Sequence, residues 1–154
     1  MSVLSDSSII SMIESGILLT GDVDRNGVTP NGYDLRIGIA RIEGGLDSDD
    51  ILIPPKTGFF VSSIERIELP PHISASIWIR SSYARRGVIG SFGYVDAGFH
   101  GNLTLSFYNS SNNSIQIKKG DRIAQIVFSL MDQSVDKTYD KRSGNYQNSS
   151  GIRL

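Results

Sequence analysis

The stretch Gly93-Tyr-Val-Asp-Ala-Gly-Phe-His-Gly-Asn-Leu-Thr-Leu-Ser-Phe107 joins a glycine-rich segment to the start of a strand pattern. Leu103, Leu105 and Phe107 alternate with polar residues, which is typical of a strand with one buried face. The glycines surround a single carboxylate, Asp96, and glycine lets a backbone approach a ligand closely. Composition alone favours a β-hairpin with a capping aspartate, and the alternative is a ligand-binding segment.

The same strand signals recur on both sides of this stretch. Leu35, Ile37 and Ile39 alternate with polar or small residues, as do Ile115 and Ile117. Further short apolar runs, separated by turn residues, lie at residues 58–64, 76–79 and 123–128. Many short strands at this spacing predict an all-β fold, either a sandwich or a barrel.

One short helix is predicted before the strands. Ser5 suits the N-cap of a helix that runs to about Ser15, and Asp6 favours its positive N-terminal end. Ile9 and Ile13 fall on one face of this helix, which therefore should pack against the strands.

Length and charge limit the classes of protein to which the chain can belong. Its 154 residues fit a single domain, which we place at 1–154. A net charge of -1 supplies no basic field, so nucleic-acid binding is disfavoured. No apolar run of about 18 residues is present, so no membrane span is expected. The N-terminus has no basic flank typical of a signal peptide, and we expect a cytoplasmic protein.

The chain contains no cysteine and only two histidines, His72 and His100. A zinc deaminase needs cysteine ligands, so that class of site is excluded. Any metal should be bound by oxygen, and we expect Mg²⁺ carried on substrate phosphates with no direct protein ligand.

The segment Arg80-Ser-Ser-Tyr-Ala-Arg85 directly follows an apolar strand pattern. Guanidinium groups, hydroxyls and free backbone N–H groups at such a junction suit a polyphosphate, although a solvated charged turn explains them equally well. Asp34 stands at the start of a strand, where aspartate is disfavoured. It either makes a local turn hydrogen bond or anchors a binding site from behind.

The last stretch, residues 132–154, is rich in serine, asparagine, aspartate and lysine and has few apolar residues. Composition favours a frayed tail. The alternative is a flexible C-terminal lid that closes on a ligand.

Taken together, these segments resemble the dUTPase/dCTP deaminase family across nearly the whole chain. The N-terminal helix and the Asn-Tyr-Gln sequence of the C-terminal tail look closest to the deaminase-type branch of the family and its archaeal dUTPase relatives. The matching segments, in family order, are Leu4–Asp6, Gly32–Arg36, Arg80–Arg85, Asp96–Gly101 with Leu103–Leu105, Arg122–Ile126 and Gly144–Gln147.

The resemblance implies a distorted β-barrel or jelly roll that assembles as a homotrimer. It places active sites between subunits and implies that the C-terminal segment closes over a nucleoside triphosphate carried with Mg²⁺. The resemblance therefore favours a flexible lid over a frayed tail for residues 132–154.

Two departures from the family deaminases bear on the choice between the two activities of the family. The deaminase tail tends to read Lys-Tyr-x-x-Gln, where this chain has Asn145-Tyr-Gln-Asn-Ser149. Family deaminases place a glutamate in the strand after the glycine-rich segment, and here Ser106 occupies that position. A hydroxyl near neutral pH cannot hold the charge that proton transfer to a leaving amine needs. Asp96 matches the carboxylate of the dUTPases. The prediction is therefore a dUTP diphosphatase, in which Asp96 activates a water that attacks the α-phosphate.

The resemblance also suggests roles for the other residues. Phe99 would stack on the deoxyribose, Tyr146 would contact the substrate from the tail, and Asp34 would support the site from behind. The remaining predicted substrate contacts, mainly to phosphate, are Arg80, Ser81, Ser82, Arg85 and, more weakly, Gln125. Two alternatives stay open: a dCTP deaminase, with or without dUTPase activity, and a non-catalytic nucleotide-binding module.

Overall fold

The structure, a computed structural model, describes residues 2–154, so Met1 of the predicted domain lies outside the described residues. The described elements are mostly strands, as the alternating patterns predicted. In chain order they are β1 Ser2–Val3, α1 Asp6–Glu14, β2 Leu18–Thr20, a 3-10 helix Arg25–Gly27, β3 Val28–Thr29, β4 Gly32–Ile42, β5 Asp50–Ile53, β6 Thr57–Ser63, β7 Arg66–Glu68, β8 Ile73–Ile79, α2 Ser81–Ala84, β9 Val88–Ser91, β10 His100–Gly101, β11 Thr104–Asn109, β12 Ile115–Lys118, β13 Arg122–Leu130 and α3 Tyr139–Arg142.

The strands pair antiparallel into three sheets within the described part of the chain. The largest has the order β1-β13-β4-β6-β11-β9, with β3 beside β4 and β8 beside β13. Smaller sheets have the orders β10-β7-β2 and β12-β5. Neighbouring strands are mostly distant in sequence, which is the connectivity of a jelly roll rather than of successive hairpins.

The core forms where the apolar faces of these strands meet. On β11, Leu105 and Phe107 are buried, and Tyr108, which follows Phe107, is exposed. This is the alternation of side chains between the two faces of a strand. The Phe107 ring stacks on Phe59 of β6 at a centroid distance of 5.2 Å. Such a pair adds aromatic attraction to the burial of two large side chains.

Helix α1 lies where it was predicted, and its Ile9 is fully buried. Ser5 occupies the N-cap position, but its side chain does not cap the backbone as the sequence suggested. Its hydroxyl instead meets the hydroxyls of Ser7 and Ser8. None of the helices formed by residues 2–154 has the length and apolar character needed to span a bilayer.

A buried ionic cluster lies beside the turn from β6 to β7. The Glu65 carboxylate, which has no exposed surface, accepts from the Tyr33 hydroxyl at 3.0 Å and from Arg36 Nε at 2.8 Å. Burial, and then the charge of Glu65, raise the pKa of the Tyr33 hydroxyl. Because every polar atom of this carboxylate is partnered, the cluster holds the turn against β4 without an unpaired buried charge.

Candidate functional site

A cavity of about 370 Å³ lies beside the segment that joins β9 to β11. One wall comes from this segment and from β11, and the other comes from the C-terminal residues. The residues that line the cavity include Asp96, Phe99, Asn102, Ser106, Tyr139, Tyr146 and Arg153. Most of the wall is apolar, which is the usual character of a small-molecule site with a few polar groups.

The segment between β9 and β11 is not the tight hairpin that composition favoured. Strand β10, within this segment, leaves the large sheet and pairs with β7. Val95 forms an isolated bridge with Ala75 of β8. Gly98 and Gly101 have φ values of 84° and 144°, in the region that favours glycine. The segment therefore makes a wide excursion that opens a cavity where a two-residue turn would close one.

Asn102 fixes this excursion to the body of the fold. Its side-chain amide donates to the carbonyl oxygens of Ser63, Ile64 and Glu65 at 3.0 to 3.2 Å. The Ser63 hydroxyl in turn accepts from the backbone N–H of Leu103 at 2.9 Å. The cavity wall is therefore tied to the turn that carries the buried Glu65 cluster.

Asp96 is exposed and is the only carboxylate side chain in the wall of this cavity, all of which lies in the described part of the chain. It also lines a neighbouring cavity of about 610 Å³, together with Asp132, Lys137 and Arg142. Phe99 is buried behind the first cavity, with its ring edge-on to Tyr139 at 5.4 Å. Asp96, Phe99 and Tyr146, three of the predicted site residues, therefore line one cavity.

Ser106 of β11 lines the same cavity as Asp96. The strand position that the family resemblance singled out therefore does face the candidate site. Its hydroxyl can donate and accept hydrogen bonds, but it supplies no charge.

The C-terminal residues 132–154 are docked on the wide segment between β9 and β11. The Gln147 side chain accepts from the backbone N–H of His100 at 3.0 Å and donates to the carbonyl of Gly98 at 3.1 Å. The Ser149 carbonyl accepts from the backbone N–H of Asn102 at 2.9 Å. These contacts bring Tyr146 to the cavity within a single chain.

The predicted phosphate-binding residues do not line this cavity. Arg80, Ser81, Ser82 and Arg85 stand at the start and the end of α2, and they line neither of the two cavities described. Arg80 Nε lies 3.1 Å from a carboxylate oxygen of Asp34, which is largely buried. The Asp34 carboxylate thus helps to fix the position of the Arg80 guanidinium.

Gln125 of β13 also lies away from the cavity. Its side-chain amide donates to the Thr29 hydroxyl at 2.7 Å. Within one chain, the predicted site residues therefore form two groups, one that lines the cavity and one that lies away from it.

The lining residues that were not predicted from the sequence include Tyr139, Ser149 and Arg153. All three belong to the polar tail, whose composition resembles that of a frayed end. Tail residues carry no hydrophobic period, so no local pattern marks which of them reach the cavity.

Comparison with known proteins gives consistent names. A family model described as dCTP deaminase-like matches residues 39–131. A protein of Thermococcus kodakarensis named dCTP deaminase is 44% identical over 130 residues, covering 81% of this chain and 82% of the relative. A protein of Aquifex aeolicus named "dCTP deaminase, dUMP-forming" is 35% identical over 168 residues, covering 97% of this chain and 92% of the relative.

Among solved structures, a 2'-deoxycytidine 5'-triphosphate deaminase from Agrobacterium tumefaciens superposes with a TM-score of 0.72 at 22% identity. The match covers 83% of this chain and 47% of that chain, so this chain spans about half the length of that protein. At this identity the likeness concerns the fold, and it confirms the predicted distorted barrel or jelly roll.

These comparisons confirm the resemblance to the dUTPase/dCTP deaminase family and contradict the prediction of a dUTP diphosphatase. That prediction gave weight to Ser106 and to the tail sequence at residues 145–149, and it matched Asp96 to the dUTPase carboxylate. Ser106 does not decide the reaction by itself, because an acid side chain, Asp96, lies in the same cavity wall.

Proposed function

The chain belongs to the dCTP deaminase-like family, and we propose that it removes the amino group of dCTP. The observation that carries this proposal is the identity of 44% to a relative named dCTP deaminase, over 81% of this chain. The cavity supports it, because its wall combines a carboxylate, a hydroxyl and apolar surface.

Hydrolytic deamination needs proton transfers rather than a strong nucleophile. The oxygen of a water adds to C4 of cytosine while N3 takes up a proton, and the C4–N4 bond then breaks to release ammonia. We assign the proton transfers to Asp96, the single acid side chain in the cavity wall, and the orientation of the water to the Ser106 hydroxyl. Phe99 is buried against the cavity and, in this proposal, would limit the space for the sugar.

Asp96→Asn should lower ammonia release from dCTP by about 100-fold or more while nucleotide binding persists, because the amide cannot accept a proton. Asp132→Asn is the matched control, since Asp132 lines only the neighbouring cavity. Ammonia and pyrophosphate should be measured in parallel on dCTP and dUTP. Near-normal ammonia release by Asp96→Asn would remove Asp96 from this role, and no ammonia from the unaltered chain would refute the proposed reaction.

A second copy of the chain completes the site in this proposal. The Arg80 cluster lines neither described cavity within one chain, so a neighbouring subunit of a homotrimer would bring Arg80, Ser81, Ser82 and Arg85 to the phosphates. Residues 132–154 would close over the nucleotide as a lid. Light scattering of the intact chain, with and without nucleotide, measures this assembly.

Magnesium enters this proposal only as a companion of the substrate. No group of three or more histidine or acidic side chains among residues 2–154 is placed to hold a metal ion, and the cavity wall offers one carboxylate side chain. This donor set does not fit a metal resident in the protein, whereas phosphate oxygens are good ligands for Mg²⁺. Turnover of dCTP with and without added Mg²⁺ tests the requirement.

A further inference from the structure

The candidate cavity has one cationic side chain in its wall, and it belongs to the tail. Arg153 lines the cavity, and every residue of that wall lies within the described part of the chain. Its side chain is exposed, so it stands at the opening rather than in the apolar interior. A cation at the opening of an apolar cavity favours a ligand with an apolar body and an anionic end.

Two contacts hold Arg153 at this position. Its backbone N–H donates to the Thr104 hydroxyl at 2.9 Å, which fixes the tail to the start of β11. Its guanidinium carbon lies 5.8 Å from the centre of the Tyr146 ring, a cation–π distance. Thr104 and Tyr146 both line the cavity, so the contacts keep Arg153 at its opening.

The guanidinium of Arg153 forms no ion pair with residues 2–154. Ion pairs among residues 2–154 occupy Arg25, Arg36, Arg41, Arg66, Arg80 and Arg122, and Arg153 is absent from these pairs. The cation–π contact leaves the N–H donors at the guanidinium edge free for an oxyanion. Arginine binds phosphate oxygens through two parallel N–H donors.

We propose that Arg153 binds the phosphate chain of the deoxynucleoside triphosphate whose base occupies the cavity, and so distinguishes nucleotide from nucleoside. This inference rests on the proposed function for the identity of the base and sugar. It adds an anion-binding residue that the same chain supplies, beside the Arg80 cluster expected from a neighbouring subunit.

Calorimetric titration of the intact chain tests the assignment with three probes: dCTP, deoxycytidine and inorganic tripolyphosphate. Arg153→Gln should weaken dCTP and tripolyphosphate binding by about 10- to 100-fold, the range for losing a hydrogen-bonded charge. Deoxycytidine binding should change by less than about 2-fold, because deoxycytidine offers no charged acceptor to Arg153. Arg153→Lys should recover part of the lost affinity, because it keeps the charge without the paired donors.

Arg142→Gln is the matched control, since it removes the same charge from the same tail but lines only the neighbouring cavity. Equal weakening of dCTP and deoxycytidine would overturn the proposal, since it would reveal a packing role alone. So would unchanged dCTP binding, or an equal effect of Arg142→Gln. These readouts need no turnover, so a chain that releases no ammonia refutes the proposed reaction while the role of Arg153 is still decided by binding.

Discussion

The strand body and the C-terminal tail are held in place by different forces. In the body, large apolar side chains such as Phe59 and Phe107 are almost fully buried. Among residues 132–154, all of which the structure describes, Ser149 is the only buried residue. The tail is docked instead by hydrogen bonds to backbone groups, notably through Gln147 and Ser149.

This difference has a consequence for how each part opens. Burial is cooperative, because each core side chain contacts many others, so the body should unfold as one unit. Hydrogen bonds near the surface each contribute about 1 kcal/mol, since water replaces them when they break. The tail should therefore detach at a small fraction of the free energy that unfolds the body.

The largest effect is expected when the body is weakened directly. Phe107→Ala should lower the free energy of unfolding by about 3 to 5 kcal/mol, because it removes a buried ring and leaves a cavity. Tyr108→Ala on the same strand is the control, since Tyr108 is exposed and should cost much less. Urea denaturation followed by circular dichroism measures both, and similar costs would contradict the assigned strand faces.

A smaller effect, confined to the tail, is expected from Gly98→Ala. A Cβ at Gly98 would lie 2.5 Å from Thr138 Cβ, and the φ of 84° already disfavours a side chain. We expect tryptic cleavage in the tail to quicken by roughly 10-fold, equivalent to about 1.4 kcal/mol, with little change in the unfolding of the body. Gly93→Ala is the control, because its Cβ would meet no atom within 4 Å. If Gly98→Ala instead unfolds the whole chain, body and tail are one cooperative unit.

The smallest effect is expected from the loss of one hydrogen-bonding side chain in the tail. Gln147→Ala removes two hydrogen bonds to the segment between β9 and β11 and should cost about 1 kcal/mol locally. Hydrogen exchange at the His100 amide should then speed up roughly 5-fold, since that N–H loses its acceptor. Gln133→Ala, an exposed position in the same tail, should leave this rate unchanged. An unaltered His100 rate in Gln147→Ala would show that other contacts dock the tail.

Much of the strand body could be predicted from local patterns. The alternation at Leu105 and Phe107 predicted a buried face, and the structure confirms it. The apolar run at residues 76–79 was predicted to be a strand, and β8 spans Ile73–Ile79. These features depend on neighbouring residues in the chain, where side-chain direction repeats with a fixed period.

The candidate site was only partly predictable. Asp96, Phe99 and Tyr146 were predicted from family motifs and line one cavity, whereas Arg153 was missed. The choice of dUTP hydrolysis was wrong because Ser106 was taken to exclude deamination, whereas a relative named dCTP deaminase is 44% identical to this chain. A motif identifies which residues matter, but the set of groups that face one bound atom depends on how distant segments meet.

The sequence by itself determined the all-β architecture, the single short N-terminal helix of α1 and the family. Those conclusions rest on the period of apolar burial and on short motifs, and both are local properties of the chain. Only the tertiary structure decided that Glu65 is buried against Arg36, that Gly98 and Gly101 open a cavity, and that Arg153 reaches it. The physical reason is that these arrangements depend on hydrogen bonds and charges between segments far apart in sequence, and such pairings leave no periodic signal along the chain.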